Sequence, residues 1–211
     1  MRHIKRYNQL FENQQELSQE QQDWLDKCST NHWRGGKWNL NPKTGLVDVD
    51  GNFFCEEQKL KDFKGVRFGH VSGHFYCSDN RLTSLEGAPE SVGALECSGN
   101  KLTSFKGCPK NIGGILFCEN NEIASLDGFP ESFFVYQFSR VEASGNPISE
   151  RTIKGLLMRI SESPSLEQAV EGYWKSIPNN DRAYLAKYHP NLPEDKKRGY
   201  EALAKFKGKI I

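Results

Sequence analysis

One pattern recurs through residues 46–148 and restricts the possible folds of this chain more than any other feature. A cysteine returns after 22, 20 and 21 residues, and an amide, an aliphatic residue, an aromatic or leucine residue and a glycine follow it at fixed offsets. The four cysteines are Cys55, Cys77, Cys97 and Cys118. A fixed period of this length predicts a solenoid, in which each repeat stacks on the repeat before it.

The repeat also predicts a buried ladder of thiols and amides. Equivalent positions in a solenoid stack about 4.8 Å apart, so the cysteines are interpreted as small buried hydrophobes rather than as disulfide or metal ligands. An asparagine three residues after a cysteine lies where the chain leaves the strand, and there its amide can satisfy backbone groups of two repeats. The predicted structural ladder consists of Cys55, Cys77, Cys97, Cys118, Asn80, Asn100 and Asn121.

Alternation around each cysteine predicts one short parallel strand per repeat, for example at residues 75–77 and 95–97. The cysteine points inward and the residue before it points outward. The chain then returns through a Gly-x-Pro turn. In the last copy Ala143 replaces the cysteine, so the solenoid is predicted to span residues 45–148 in about five coils.

The flanking segments are predicted to be helical. Residues 1–44 are interpreted as an N-terminal helical cap and linker, with a capping box at Ser18 and Gln21. Residues 149–211 are interpreted as a C-terminal helical module whose first helix is capped by Ser149. The apolar stripes of the two segments consist of Trp24, Leu25 and Cys28, and of Ile153, Leu156, Leu157 and Ile160.

The repeats resemble a known family. The core pattern of residues 75–85 is similar to the leucine-rich-repeat signature LxLxxNxL, with cysteine in one leucine slot. The segment CSDNRLTSLEGAPESVG, residues 77–93, resembles leucine-rich-repeat proteins encoded by tailed bacteriophages, and the short period resembles the repeats of bacterial type III secreted effectors. This resemblance implies an α/β solenoid with a parallel sheet and helical caps. It also implies a phage protein directed at a host protein, such as a defence or regulatory protein.

Outward-pointing strand residues are the predicted interaction surface. Aromatic side chains in an exposed row are typical of protein-docking surfaces. The predicted protein-binding residues on the concave face are Phe54, His74, Tyr76, Glu96, Ile115, Phe117, Glu119, Arg140 and Glu142. In an alternative interpretation, the N-terminal segment and residues 134–138 cover Phe54 and Phe117.

Catalysis, metals and cofactors are not predicted. His70, His74 and Cys77 have ligand-like spacing, but His74 and Cys77 point to opposite faces of the strand. No phosphate-binding loop or nucleophile motif is present in the sequence. A non-enzymatic protein-binding module is therefore the leading hypothesis.

Charge and hydropathy restrict the partners and the compartment. The net charge of +1 and the absence of a long apolar run predict a cytoplasmic protein with no membrane partner, for which nucleic acid is not favoured. Two alternatives remain open at this stage. A nucleotide or another small ligand could bind between the solenoid end and the C-terminal helices, near Arg140, Arg151 or Lys154, or the basic residues of segment 182–211 could bind nucleic acid.

Overall fold

The computed structural model describes residues 16–30, 35–133, 140–160 and 166–182. In these ranges the chain forms three α-helices, eight strands and a short 3₁₀ helix at Trp174–Ser176. The helices are α1 (Gln19–Thr30), α2 (Glu150–Ile160) and α3 (Leu166–Tyr173). The strands are β1 (Lys37–Leu40), β2 (Val47–Asp50), β3 (Phe53–Phe54), β4 (Phe68–Tyr76), β5 (Ser91–Glu96), β6 (Asn111–Phe117), β7 (Ser132–Phe133) and β8 (Arg140–Glu142).

The strands form a parallel-rich β-solenoid of about four turns. The main path through the sheet is β1-β2-β4-β5-β6-β7, and β3 and β8 pair with β4 and β6. Every pairing of a strand in this sheet is parallel except that of β1 with β2. The sequence predicted about five coils, and the structure has about four turns.

In each coil, more residues are in strands than the repeat pattern predicts. In β4, β5 and β6 a first paired segment precedes the one next to the cysteine, and the register shifts between them. The shift falls at a glycine: a Cβ added to Gly93 would lie 2.9 Å from the carbonyl oxygen of Gly73 on the neighbouring coil. Glycine therefore allows the coils to stack closely at the bend. The first segment was not predicted in these coils, because glycine usually lowers strand propensity.

The turn after each core aromatic or leucine residue depends on glycine as expected. Gly107 has a φ of +78°, and a Cβ at this position would lie 2.3 Å from the Glu86 nitrogen. A side chain would be strained and would also clash with the preceding coil. This position therefore sets the return path of the chain.

The inner row of strand residues forms the core. Phe53, Phe75, Leu95 and Leu116 are in parallel register, and all are fully buried. At the N-terminal end aromatic rings fill the coils: Phe53 and Phe75 stack at 5.4 Å, and Phe68 contacts both rings edge-on. These contacts place most of the aromatic volume of the core in the first two coils.

The asparagines connect consecutive coils. Asn100 donates from Nδ2 to the carbonyl oxygens of Cys77 and Cys97, at 3.0 and 3.1 Å, and accepts a hydrogen bond from the Leu82 N–H at 3.0 Å. Asn80 and Asn121 make the equivalent bonds in their coils, and all three asparagines are buried. Each amide thus satisfies backbone groups that the turn leaves without partners.

The ladder of amides extends beyond the predicted members at both ends. Asn146 donates to the carbonyl oxygens of Cys118 and Ala143, and its Oδ1 accepts from the backbone N–H of Ile123. In the first coil Gln58 accepts a 2.9 Å hydrogen bond from Trp24 Nε1. The indole of α1 therefore bonds to the residue that takes the asparagine position in the first coil.

The thiols lie next to these amides and are unpaired. Cys55, Cys77, Cys97 and Cys118 are buried, and none forms a disulfide. Burial raises the pKa of the Cys118 thiol to about 12 and raises the pKa values of the other three thiols as well. The ladder of thiols is therefore neutral at physiological pH.

Helix α1 follows the sequence prediction. Ser18 and Gln21 form the capping box, since each backbone N–H is bonded to the side chain of the other residue. Trp24, Leu25 and Cys28 are buried, and Trp24 contacts Phe53 edge-on at 5.4 Å.

Part of the segment predicted as a cap and linker is instead a strand. Strand β1 pairs antiparallel with β2, with Trp38 opposite Val49. The alternation of Trp38 and Leu40 was the signal that could have revealed this strand. The helical prediction for residues 1–15 lies outside the described residues.

The C-terminal helices form where the apolar periodicity predicts them. In α2 the stripe Ile153, Leu156, Leu157 and Ile160 is buried. Asp181 is also buried, and its Oδ2 accepts hydrogen bonds from the backbone N–H of Ser149, from its hydroxyl and from the Thr152 hydroxyl. The segment after α3 is thereby bonded to the start of α2. The helices predicted after residue 182 lie outside the described residues.

Replacing Asp181 by alanine is expected to loosen this attachment. The substitution leaves the Ser149 N–H and the Thr152 hydroxyl without this acceptor, and the Ser149 hydroxyl keeps only its 3.4 Å contact with Thr152 Oγ1. The expected cost is about 2–4 kcal/mol. Hydrogen exchange across residues 150–160 is expected to accelerate, whereas Asp127→Ala, at an exposed aspartate, is expected to change it little. Equal exchange in the two variants would contradict the role assigned to Asp181.

Candidate docking surface

The outward residues of the strands next to the cysteines lie in two registered rows. The first row runs Phe54, Tyr76, Glu96, Phe117 and Glu142, and the second runs His74, Ala94, Ile115 and Arg140. We call the predicted residues of these rows, together with Glu119, the outer strand face. Parallel pairing places equivalent residues one strand spacing apart, so side chains from distant parts of the chain become neighbours.

The N-terminal half of the outer strand face is aromatic. Phe54 and Tyr76 are half-buried and stack with ring centroids 4.7 Å apart and planes 7° apart. The His74 ring, in the second row, stacks on the Tyr76 ring, and the two ring centroids are 5.3 Å apart. Stacking of neighbouring rings limits their rotamers, so this part of the surface is ordered before any partner binds.

The C-terminal half combines an aromatic ring with a charged pair. The Arg140 guanidinium lies 5.1 Å from the centre of the Phe117 ring, and its Nε donates to Glu142 Oε1 at 2.6 Å. Arginine over an aromatic ring is a cation–π arrangement. The sequence predicted that these residues share a face, but it did not predict that they contact one another.

Polar contacts link the remaining predicted residues. His74 Nδ1 lies 3.8 Å from Glu96 Oε1, which brings the aromatic half next to a carboxylate. Glu119 accepts a 3.0 Å hydrogen bond from the Ser144 hydroxyl, while Ile115 is half-buried. Ala94 is buried, although it stands in the outward row between His74 and Ile115.

Phe54 and Phe117, the two rings that the alternative interpretation places under other segments, are both half-buried. The alternative in which residues 134–138 cover Phe117 lies outside the described residues.

A further row, made of polar residues, lies on the first strand segment of each coil and was not predicted from the sequence. His70, Ser91, Asn111 and Ser132 are in register, and the His70 ring and the Ser91 hydroxyl lie 2.7 Å apart. The Ser132 hydroxyl donates to Asn111 at 2.5 Å. The four side chains thus form two hydrogen-bonded pairs, and the row is polar.

A cavity of about 380 Å³ lies between the last coil and α2. Arg140 and Lys154 line it, but each is paired with a carboxylate, Glu142 or Glu150. Glu142 also lines the cavity, and the rest of its wall is apolar and consists of Phe133, Val141, Leu157 and Met158. Arg151, which the sequence also suggested for a ligand site here, is exposed and does not line the cavity.

No cluster suited to a metal is found in the described part of the chain. Groups of three or more His, Cys, Asp or Glu side chains that could hold an ion are absent there. Across the same ranges, none of the helices has the length and apolarity needed to cross a membrane.

Comparisons with known proteins give no match: no family model, no curated protein and no solved structure is significantly similar to this chain. By its fold, the chain is a parallel-rich β-solenoid with few helices.

Proposed function

We propose that this chain is a non-enzymatic protein-binding module of the leucine-rich-repeat type, with helices covering both ends of the solenoid. The partner is a protein that docks on the outer strand face. The observation that carries the proposal is the registered row in which Phe54 stacks on Tyr76 and Phe117 lies beneath Arg140. Aromatic and arginine side chains dominate the binding energy of protein interfaces.

The side chains of the outer strand face are held in place before a partner binds, and this supports the same function. A partner that binds side chains already held by stacking and ion pairing loses little rotamer entropy. The two aromatic groups flank Glu96, so the face offers apolar anchors with a carboxylate between them. A matching partner would present apolar pockets and a basic group.

The resemblance to phage proteins suggests the setting of this interaction. We infer a host-directed role in the bacterial cytoplasm, with a defence or regulatory protein as the target. The six free cysteines agree with a reducing compartment.

The test compares capture by matched variants. Tyr76→Ala and Phe117→Ala are expected to lose the partner that wild-type protein retains from a bacterial lysate. With the purified partner, each variant is expected to weaken binding at least about 30-fold, or about 2 kcal/mol. The cost to folding is smaller, about 1 kcal/mol, because cross-strand pairs on an outer face contribute that much.

Leu40→Ala is the control, since it truncates an exposed apolar residue (36% exposed) outside the outer strand face. It is expected to retain the partner. A captured protein that binds all three variants and wild type equally would refute docking on this face.

A small-ligand function is the second candidate, and the cavity beside α2 favours it. Arg140 and Lys154 could contact an anionic group there, although both are already paired. A thermal-shift screen with nucleotides, run on wild type and on Lys154→Ala, tests this cavity, because a ligand at 100 to 1,000 times its Kd stabilises a protein by about 3–4 kcal/mol and a ligand of the cavity should stabilise the variant less. Nucleic-acid binding through the basic C-terminal segment concerns residues that lie almost wholly outside the described ranges.

A further inference from the structure

A second groove, on the loops that follow the asparagine ladder, differs in charge from the rest of the solenoid. It has a volume of about 380 Å³ and is lined by Lys61, Arg81, Thr83 and Lys101. These residues come from three successive coils and are all exposed. The lining contains three cationic side chains and one hydroxyl, and no carboxylate.

The three cations have no ion-pair partner among the described residues. Elsewhere the chain pairs charges across coils: Lys106 contacts Glu86 at 2.9 Å, and Lys110 contacts Glu131 at 3.5 Å. A lysine on one coil can therefore meet a carboxylate on the next in this architecture. In the groove, by contrast, no carboxylate of the described residues pairs with the three cationic side chains.

Backbone bonds hold the groove residues in place. The Arg81 N–H donates to the Leu60 carbonyl oxygen, and the Lys101 N–H donates to that of Leu82, both between adjacent coils. Arg81 and Lys101 directly follow ladder asparagines, so their backbones are positioned by the Asn80 and Asn100 hydrogen bonds. Like charges are thus fixed on neighbouring coils, where an anion between them would relieve their repulsion.

We propose that this groove binds a small condensed phosphate, either an inorganic triphosphate or the phosphate chain of a nucleotide. Arginine can contact two phosphate oxygens at once, lysine supplies a point charge, and the Thr83 hydroxyl can donate to a third oxygen. The size of the groove favours a compact polyanion over a nucleic-acid strand, which would need a cationic track along the molecule. The next coil has Glu122 at the position of Arg81 and Lys101, so the cationic column ends there.

The test measures the binding of inorganic triphosphate and of ATP to the full chain by calorimetry at constant ionic strength. The double variant Arg81→Gln/Lys101→Gln is expected to weaken binding of both at least about tenfold, because two of the three charges are removed. The control Lys37→Gln/Lys43→Gln removes the same charge at exposed positions far from the groove in sequence, and is expected to change the Kd by less than about twofold.

A second variant keeps the test decisive if the double variant is poorly folded. Arg81→Lys retains the charge but loses the two-point contact, so it is expected to weaken triphosphate binding about threefold or more. Equal weakening in the control would overturn the proposal, as would triphosphate binding that Arg81→Lys leaves unchanged. Binding of a long single-stranded oligonucleotide without binding of triphosphate would overturn it in favour of nucleic acid. Each outcome is independent of docking on the outer strand face, which these variants leave intact.

Discussion

The protein is expected to unfold as the pH rises above about 9, because the folded chain keeps buried thiols protonated that the unfolded chain ionises. An unfolded cysteine has a pKa of about 8.5. Above that pH the unfolded state binds fewer protons than the folded state, so the free energy of unfolding falls with pH. The four thiols of the ladder together lower it by about 5 kcal/mol per pH unit, at about 1.4 kcal/mol for each group.

Denaturant titrations between about pH 7.5 and pH 10, with a reductant present, measure this slope. Cys97→Ala is expected to reduce it by about 1.4 kcal/mol per pH unit, since one titrating group is gone. Alanine fits the position because Ala143 already occupies the equivalent buried site in the last coil. Ser84→Ala is the control: it retains every thiol and should retain the full slope. A protein equally stable at the two ends of the pH range would contradict the buried thiol ladder.

Replacing Asn100 by alanine is expected to cost about 4 kcal/mol, which is a large share of the stability of a typical domain. The substitution leaves the Leu82 N–H without a partner and removes one of the two hydrogen bonds accepted by each of the Cys77 and Cys97 carbonyl oxygens, the other coming from Asn80 or Asn121. The unsatisfied N–H costs about 2 kcal/mol, and each lost bond costs about 1 kcal/mol. The denaturant midpoint should shift accordingly, while Asn39→Ala, at an exposed amide on β1, should leave it nearly unchanged.

Asn100→Asp separates the donor role of the amide from its acceptor role. An aspartate keeps an oxygen for the Leu82 N–H, but as a carboxylate it cannot donate to either carbonyl. Burial disfavours its charged form, so the deficit relative to wild type should shrink as the pH falls and the carboxyl group protonates. If Asn100→Ala unfolded at the wild-type denaturant concentration, the ladder would have no role in stability.

The fold could be anticipated where one residue type has one role in every coil. The cysteines and asparagines recur at a fixed spacing, and a buried thiol or a turn amide is the physical reason for each. The helices at Gln19–Thr30 and Glu150–Ile160 were likewise visible as apolar stripes. The sequence period therefore predicted that the coils stack on one another and which side chains of each strand point into the core.

The contacts that periodicity missed depend on the backbone or on single pairs. The bend at Gly93 is a close approach of two coils, which a glycine in a strand does not by itself reveal. Strand β1 is antiparallel and has no repeat equivalent. The position of Arg140 over Phe117 is set by rotamers, and the Asp181 bonds join residues about 30 apart in the chain. The glycine bend recurs at Gly73, Gly93 and Gly113, but the close approach of the coils is a property of the backbone that the sequence period does not show. The other three features occur once, so no period could reveal them.

The amide of each coil bonds only to its own coil and to the one before it. A whole unit of about 20 residues could therefore be duplicated or deleted in the middle of the array without altering the bonds at either terminus. Unequal recombination within the gene would then produce length variants that still fold. Each added unit would lengthen the row of outward side chains by one residue and would change the surface offered to the proposed partner.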